Sequence, residues 1–335
     1  MTEPGNNERL GTVHQKKSCF GLASVNDSAV AVANGRTACR KEYRCDDGLG
    51  RAPKFVTRWA LGCIAAIAVA GSAVAQTPVE RGSYLVNGIL TCGNCHTPRS
   101  PSGAWDMSKQ LSGRPRTWDE VTFKVQAANI TPDPETGIGK WSDADIKRAL
   151  VNGVRPNGTQ IAPIMPYGFY KVFTPADIDA VVAYLKSVPA VPNAVEPSVY
   201  KGAMHVDTPP GADKAMSEAD LADPVKRGFY LATIGHCMEC HTPIVNDRHD
   251  NAQLGKGGQP FPGPWGVTIS RNITSHPTAG LGAWSDAEIK AAIAQGVRKD
   301  GTNLKPPMAF FLYAKMTDQD LSAIVAYLRT VPPKE

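Results

Sequence analysis

Beyond residue 75 the sequence has almost no net charge, no cysteine outside two short motifs, and no apolar run long enough to cross a bilayer. Each absence excludes something. The formal charge of the whole chain is +5, but residues 1–75 hold ten Lys+Arg against six Asp+Glu, and residues 76–335 hold 26 against 25. A nucleic-acid-binding face would need a basic excess in the folded part, and there is none. Cys19, Cys39, Cys45 and Cys63 lie before residue 76, and only Cys92, Cys95, Cys237 and Cys240 follow it, so no disulfide is expected in the mature chain. The one marked apolar run, residues 59–74, is too short for a spanning helix, which needs about 20 residues. It follows Arg58 and closes on Ala73-Val74-Ala75, the pattern of an export signal cleaved after Ala75. Such a signal starts a precursor, so translation is expected to begin near Val56, with residues 1–55 upstream of the true start. Residues 1–75 are thus read as leader.

What remains is organised around Thr91-Cys92-Gly93-Asn94-Cys95-His96-Thr97-Pro98 and its second copy, His236-Cys237-Met238-Glu239-Cys240-His241-Thr242-Pro243. Two thiols three positions apart followed by an imidazole form an attachment site for c-type haem. Each thiol adds to a porphyrin vinyl group, and the histidine binds iron from one side. Zinc is the rival use of paired cysteines. These pairs lie 145 residues apart, and each has a histidine and a methionine of its own.

Other segments repeat as well. Arg81-Gly82-x-Tyr84-Leu85 returns as Arg227-Gly228-x-Tyr230-Leu231, and Asn129-Ile130-Thr131 as Asn272-Ile273-Thr274. Gly139-x-Trp141-Ser142-Asp143-Ala144 returns as Gly282-x-Trp284-Ser285-Asp286-Ala287, and Gly153-Val154-Arg155 as Gly296-Val297-Arg298. A duplicated unit follows, with domains at 76–190 and 223–335 and a Pro- and Ala-rich linker at 191–222. Within each unit the helical signals are clear. Residues 80–94 are predicted as one helix delivering the first motif at its end. Ser142 with Asp145 caps a helix stopped by Gly153. Thr174-Pro175-Ala176-Asp177 opens another, with an apolar stripe at Ile178, Val181, Val182, Leu185 and Val188. Thr317 opens its counterpart, with Leu321, Ile324, Val325, Leu328 and Val331. The predicted class is all-α with few or no strands.

The sixth iron ligand separates a carrier from a catalyst, because an open position admits water, oxygen or peroxide. Of eight methionines only Met165 and Met308 occupy equivalent places, 69 residues after His96 and 67 after His241, each behind a proline-bearing loop. They are the expected distal ligands. His205, His249 and His276 are unpaired across the repeat and read as exposed. His236 could lie near the second haem edge. Asn129/Asn272, Trp141/Trp284 and Arg155/Arg298 are paired, and serve either as donors to haem carboxylates or as packing and surface residues.

Together these motifs, with Asn129-Ile130-Thr131-Pro132-Asp133-Pro134, Trp141-Ser142-Asp143-Ala144-Asp145 and Met165-Pro166-Tyr167, resemble the class I cytochrome c domains in the cytochrome subunits of bacterial alcohol, aldehyde and gluconate dehydrogenases. The resemblance implies two covalently attached c-type haems, with His96 and His241 proximal and Met165 and Met308 distal, each in an all-α domain. It implies a periplasmic electron carrier with no catalytic residues. The donor is then a dehydrogenase subunit or upstream cytochrome, and the acceptor a cytochrome or terminal oxidase. Two units stand where those subunits typically have three, and the last helix is followed directly by Val331-Pro332-Pro333-Lys334-Glu335. Both differences favour a soluble or peripherally associated carrier with no integral membrane segment in the mature chain. The alternative is a di-haem enzyme of the peroxidase or thiosulfate-dehydrogenase type, with one catalytic haem.

Overall fold

The computed structural model describes residues 76–335. The proposed leader, its cleavage point and its four cysteines lie outside the described residues. The described residues lie within one compact unit.

The helices form where capping residues and apolar periodicity coincide. α1 (Pro78–Asn87) starts on Thr77, whose hydroxyl accepts from the Glu80 amide while the Glu80 carboxylate accepts from the Thr77 amide. α3 (Asp143–Asn152) starts on the same box, Ser142 with Asp145, and stops at Gly153, whose φ of +65° is left-handed. Thr174 caps α4 (Pro175–Ser187) with a proline in its first turn. The order recurs as α5 (Pro224–Ile234), α7 (Asp286–Gln295) and α9 (Asp318–Thr330), with a short α8 (Phe310–Tyr313) before the last. Each cap satisfies amides the first turn leaves unpaired, at about 1 kcal/mol apiece.

Two predictions need correction. The sequence predicts one helix over 80–94, but α1 ends at Asn87 and the first motif forms its own helix, α2 (Cys92–His96). Thr91, at φ +51°, turns the chain left-handed between them. The second motif forms α6 (Cys237–His241) in the same way, behind His236 at φ +42°. A helix cannot run through a left-handed residue, so the motif is swung off the helix before it. Where few or no strands are expected, the described residues hold seven short ones. β1 (Arg114–Asp119) and β2 (Phe123–Ala127) pair antiparallel, and β3 (Val199–Tyr200) adds to β2. The second half has two hairpins, β4 (Ile244–Val245) with β5 (Arg248–His249), and β6 (Pro260–Gly263) with β7 (Gly266–Ile269). Proline-rich segments hid them, yet proline is tolerated on the edges of so small a sheet.

α1 lies on α4 and α5 on α9, so closely that glycine is required at each crossing. A Cβ on Gly82 would fall 1.9 Å from the Ala180 carbonyl oxygen, and one on Gly228 1.9 Å from that of Ala323. The expected stripes of α4 and α9 are core, with Val181, Val182, Leu185, Ile324, Val325 and Leu328 all buried, while Ile178 and Val188 are half-buried. One continuous apolar cluster runs through both halves.

The halves are joined by a reciprocal polar lock. Asp177, in the first turn of α4, accepts from Arg81 Nε at 2.7 Å and Nη2 at 2.8 Å within its own half, and from the Tyr230 hydroxyl of the other half at 2.7 Å. Asp320, in the first turn of α9, accepts from Arg227 Nε and from the Tyr84 hydroxyl, both at 2.5 Å. Both carboxylates are buried, and Tyr230 is fully so. Each tyrosine supplies a hydrogen bond to a charged group, about 1.5–3 kcal/mol. Tyr84→Phe and Tyr230→Phe should each lower unfolding free energy by about that amount. Guanidinium unfolding of the haem-loaded protein measures it, and a loss below about 0.5 kcal/mol would contradict the lock.

Candidate haem-binding sites

In each motif helix the two thiols lie one turn apart on the same side. Burial pushes the Cys92 and Cys237 thiols up to about 12, and raises Cys240 as well. Among the described residues no disulfide joins the four cysteines, which leaves each of them available for a thioether bond. A Cβ on Gly235, two residues before Cys237, would fall 2.6 Å from Ile89 Cδ1, so the segments that lead into the two motifs pack on one another at the seam between the halves.

The histidines show whether a haem iron fits. His96 Nδ1 is 2.7 Å from the Ala128 carbonyl oxygen, and His241 Nδ1 is 2.6 Å from that of Arg271. A carbonyl only accepts, so Nδ1 carries the proton in each ring and Nε2 keeps its lone pair. Burial holds both imidazoles below their ordinary pKa, which keeps them neutral. Metal-ligating histidines are oriented by this kind of carbonyl partner. The donor set fits the group: one oriented, neutral imidazole directly after two thiols, twice.

Met165 and Met308 are half-buried and pack against the shared core. Each sits in a loop pinned to the end of the preceding helix, through Ile161 N to Gly153 O at 2.6 Å and Leu304 N to Gly296 O at 2.7 Å. Five residues after each comes a tyrosine that the sequence reading passed over. Burial pushes Tyr170 and Tyr313 well above the usual phenol range. Ionised Cys92 and Cys95 would add to this at Tyr170, and ionised Cys237 and Cys240 at Tyr313, while the Glu239 carboxylate acts on both. Each methionine-bearing segment therefore leads into a residue beside the thiols of its own half.

The paired Asn, Trp and Arg residues resolve toward packing. Asn129 Nδ2 donates to the Val191 carbonyl at 2.7 Å and its Oδ1 accepts from the Thr131 amide, while Asn272 does the same with Lys334 and Thr274. Arg155 donates to the Tyr200 hydroxyl, Arg298 pairs with Asp300, and Trp141 and Trp284 pack on the core. His205 is exposed, but His249 is not. Its Nδ1 is 2.6 Å from Asp207 Oδ2 and its Nε2 is 2.7 Å from the Glu239 carbonyl oxygen, so it ties the segment after α4 to the second motif. His236 Nδ1 pairs with Glu239 at 2.9 Å.

Residues 225–332 match the family model for cytochrome c. A diheme c-type cytochrome of Cereibacter sphaeroides is 34% identical over 256 residues, covering 73% of this chain and 83% of that protein.

The chain belongs to the cytochrome c family.

The cytochrome c subunit of a quinone alcohol dehydrogenase from Gluconacetobacter polyoxogenes is 29% identical over 291 residues, and that of a gluconate 2-dehydrogenase from Pantoea cypripedii 28% over 305. These alignments cover 79% and 84% of this cytochrome, but it spans only 59% and 66% of those subunits. Membership implies covalently bound c-type haem. Replacing Cys92 and Cys95 together by serine should halve the covalent haem per chain, measured by pyridine haemochrome and by haem staining of a denaturing gel. Alkylation of the unmodified protein should label none of the four motif cysteines. Undiminished haem in the double variant would contradict the assignment of the first site.

Proposed function

We propose that this cytochrome is a periplasmic di-haem electron carrier built from a duplicated unit. It takes electrons from a dehydrogenase or an upstream cytochrome and passes them to a later cytochrome or oxidase. The observation that carries the reading is the doubled motif in which each histidine is oriented by a backbone carbonyl, with the segments that lead into both motifs packed together at Ile89 and Gly235.

Cys92 and Cys95 would hold the first haem and Cys237 and Cys240 the second, with His96 and Met165 as the residues that would bind the first iron and His241 and Met308 the second. When bound, the iron supplies reversible one-electron exchange between its ferrous and ferric states, and a methionine ligand raises its potential. The chain's own residues keep that exchange simple. Ala128 and Arg271 hold the imidazoles in one tautomer. The pinned loops would present the Met165 and Met308 thioethers without relying on bond strength, and so would keep small ligands from the iron. The shared core and the two Tyr–Asp locks keep the halves from separating. No helix among the described residues is long and apolar enough to cross a membrane. The resemblance of Arg58 and residues 59–75 to an export signal supports a periplasmic location.

Optical redox titration of the purified protein should show two low-spin haems with the methionine–iron charge-transfer band. Met165→Ala should turn one of them high-spin and lower its potential, leaving the other unchanged. A high-spin haem in the unmodified protein, or rapid peroxide turnover, would contradict the carrier.

A further inference from the structure

Each methionine-bearing segment leans on the other half, and the two do so through different chemistry. Trp105 and His249 hold equivalent places, because the residue after each bonds its own motif's tail, Asp106 N to the Pro98 carbonyl and Asp250 N to that of Pro243. The Trp105 ring meets the Phe311 ring edge-on, with centroids 4.9 Å apart. Phe311 lies three residues after Met308, in the place that Gly168 holds three residues after Met165. That support is apolar and cannot titrate.

In the other direction the support is ionic. A Cβ on Gly168 would fall 2.0 Å from the Asp207 carbonyl oxygen and 2.9 Å from Val206 Cγ1, so Asp207 lies directly on the Met165 segment. His249 Nδ1 is 2.6 Å from the Asp207 carboxylate, and its Nε2 is 2.7 Å from the Glu239 carbonyl oxygen of the second motif. Both partners only accept, so both ring nitrogens donate and the ring is an imidazolium. His96 and His241, by contrast, each meet one carbonyl. The other titratable groups about His249 have their own partners or face water. His205 Nε2 is 2.9 Å from the second Asp207 oxygen, and the Glu239 carboxylate pairs with His236. The Asp250 carboxylate accepts from the Ala252 amide, and Arg248 is exposed. Phe169, Pro209, Met238, Thr242, Asn251 and Leu254, which complete the surroundings, are uncharged.

We infer that His249 is a positioning residue for the first site: as an imidazolium it straps the second motif to the segment that presents Met165, and the strap opens at one end when the ring loses a proton. The inference rests on the reading of Met165 as an axial ligand. A neutral ring has a single N–H, so it keeps only one of the two bonds. The hold on the Met165 segment is therefore full at low pH and weakens as pH rises through the histidine range. Met308, whose segment leans on Trp105, does not share this dependence.

Displacement of the methionine by azide, an anion throughout the range used, tests it. In the haem-loaded Met308→Ala variant the methionine–iron charge-transfer band reports Met165 alone. The azide concentration that removes half of this band should fall about tenfold between about pH 5.5 and pH 8.5, the effect of losing one hydrogen bond to a charged group. In Met165→Ala the band reports Met308, and its azide sensitivity should not follow that fall. Adding Asp207→Asn to Met308→Ala keeps both bonds with a neutral ring, because the amide donates to Nδ1 while Nε2–H still serves Glu239. The pH step should then vanish, with the band hard to displace at both pH values. Adding His249→Phe instead should also abolish the step, with the band easy to displace at both. At the lower pH, amide exchange over residues 165–172 should be faster in His249→Phe than in the unmodified protein, a readout that needs no iron ligand. A band in Met308→Ala that azide displaces equally at both pH values would overturn the strap, as would a pH step that survives His249→Phe. Absence of any methionine band at either pH in the unmodified protein would overturn the ligation reading, and the strap's role with it.

Discussion

Two buried carboxylates hold this molecule together. Asp177 and Asp320 each stand at N3 of a final core helix, where the capping threonine and the helix dipole favour negative charge. Each is gripped by an arginine of its own half and a tyrosine of the other. A buried carboxylate is costly unless paired and hydrogen-bonded, so neither half satisfies its own acid alone. The halves are thus obliged to associate, and α1 and α5, which carry Arg81, Tyr84, Arg227 and Tyr230, are fixed by the same bonds. Those helices lead directly into the two motifs. The lock that joins the halves therefore also sets how the segments leading into the motifs pack at the seam.

Much of this was legible in the chain. Capping boxes, the left-handed stop at Gly153 and the stripes of α4 and α9 are local signals, and the structure shows them where the sequence places them. The doubled motif and paired methionines were visible by spacing alone. Other features depend on distant partners. Tyr84 and Tyr230 appear in the repeated words, but nothing near them in sequence announces an acid 236 residues away for one and 53 for the other. Tyr170 and Tyr313 share the 143-residue offset of the methionines, so the repeat could have exposed them. The sequence reading passed over them, because no local pattern marks them off from the other aromatic residues of their segments. His249 looked idle because its two acceptors, Asp207 and the Glu239 carbonyl, lie 42 and 10 residues before it and have no counterpart in the repeat to draw notice. The helix expected over 80–94 ends at Asn87, and the motif starts afresh behind Thr91, a residue whose left-handed turn no propensity would suggest.

The repeat preserves what holds and orients and varies what faces outward. Both halves keep the glycine under the helix crossing, the carbonyl behind the histidine and the shared aspartate. They differ at the rim. One has Trp105 where the other has His249, and β2 is covered by β3 where no third strand pairs with β7 among the described residues. A shared interior with unlike rims suits a conduit whose two sites are not interchangeable.

The central claim is that the two sites act as one conduit through a seam locked by Asp177 and Asp320. Photoinjection of a single electron into the fully oxidised protein, followed by transient absorption, tests it most directly. The account predicts that the electron equilibrates between the two haems at a rate independent of protein concentration. Equilibration only by collision between molecules, with a rate proportional to concentration, would contradict it.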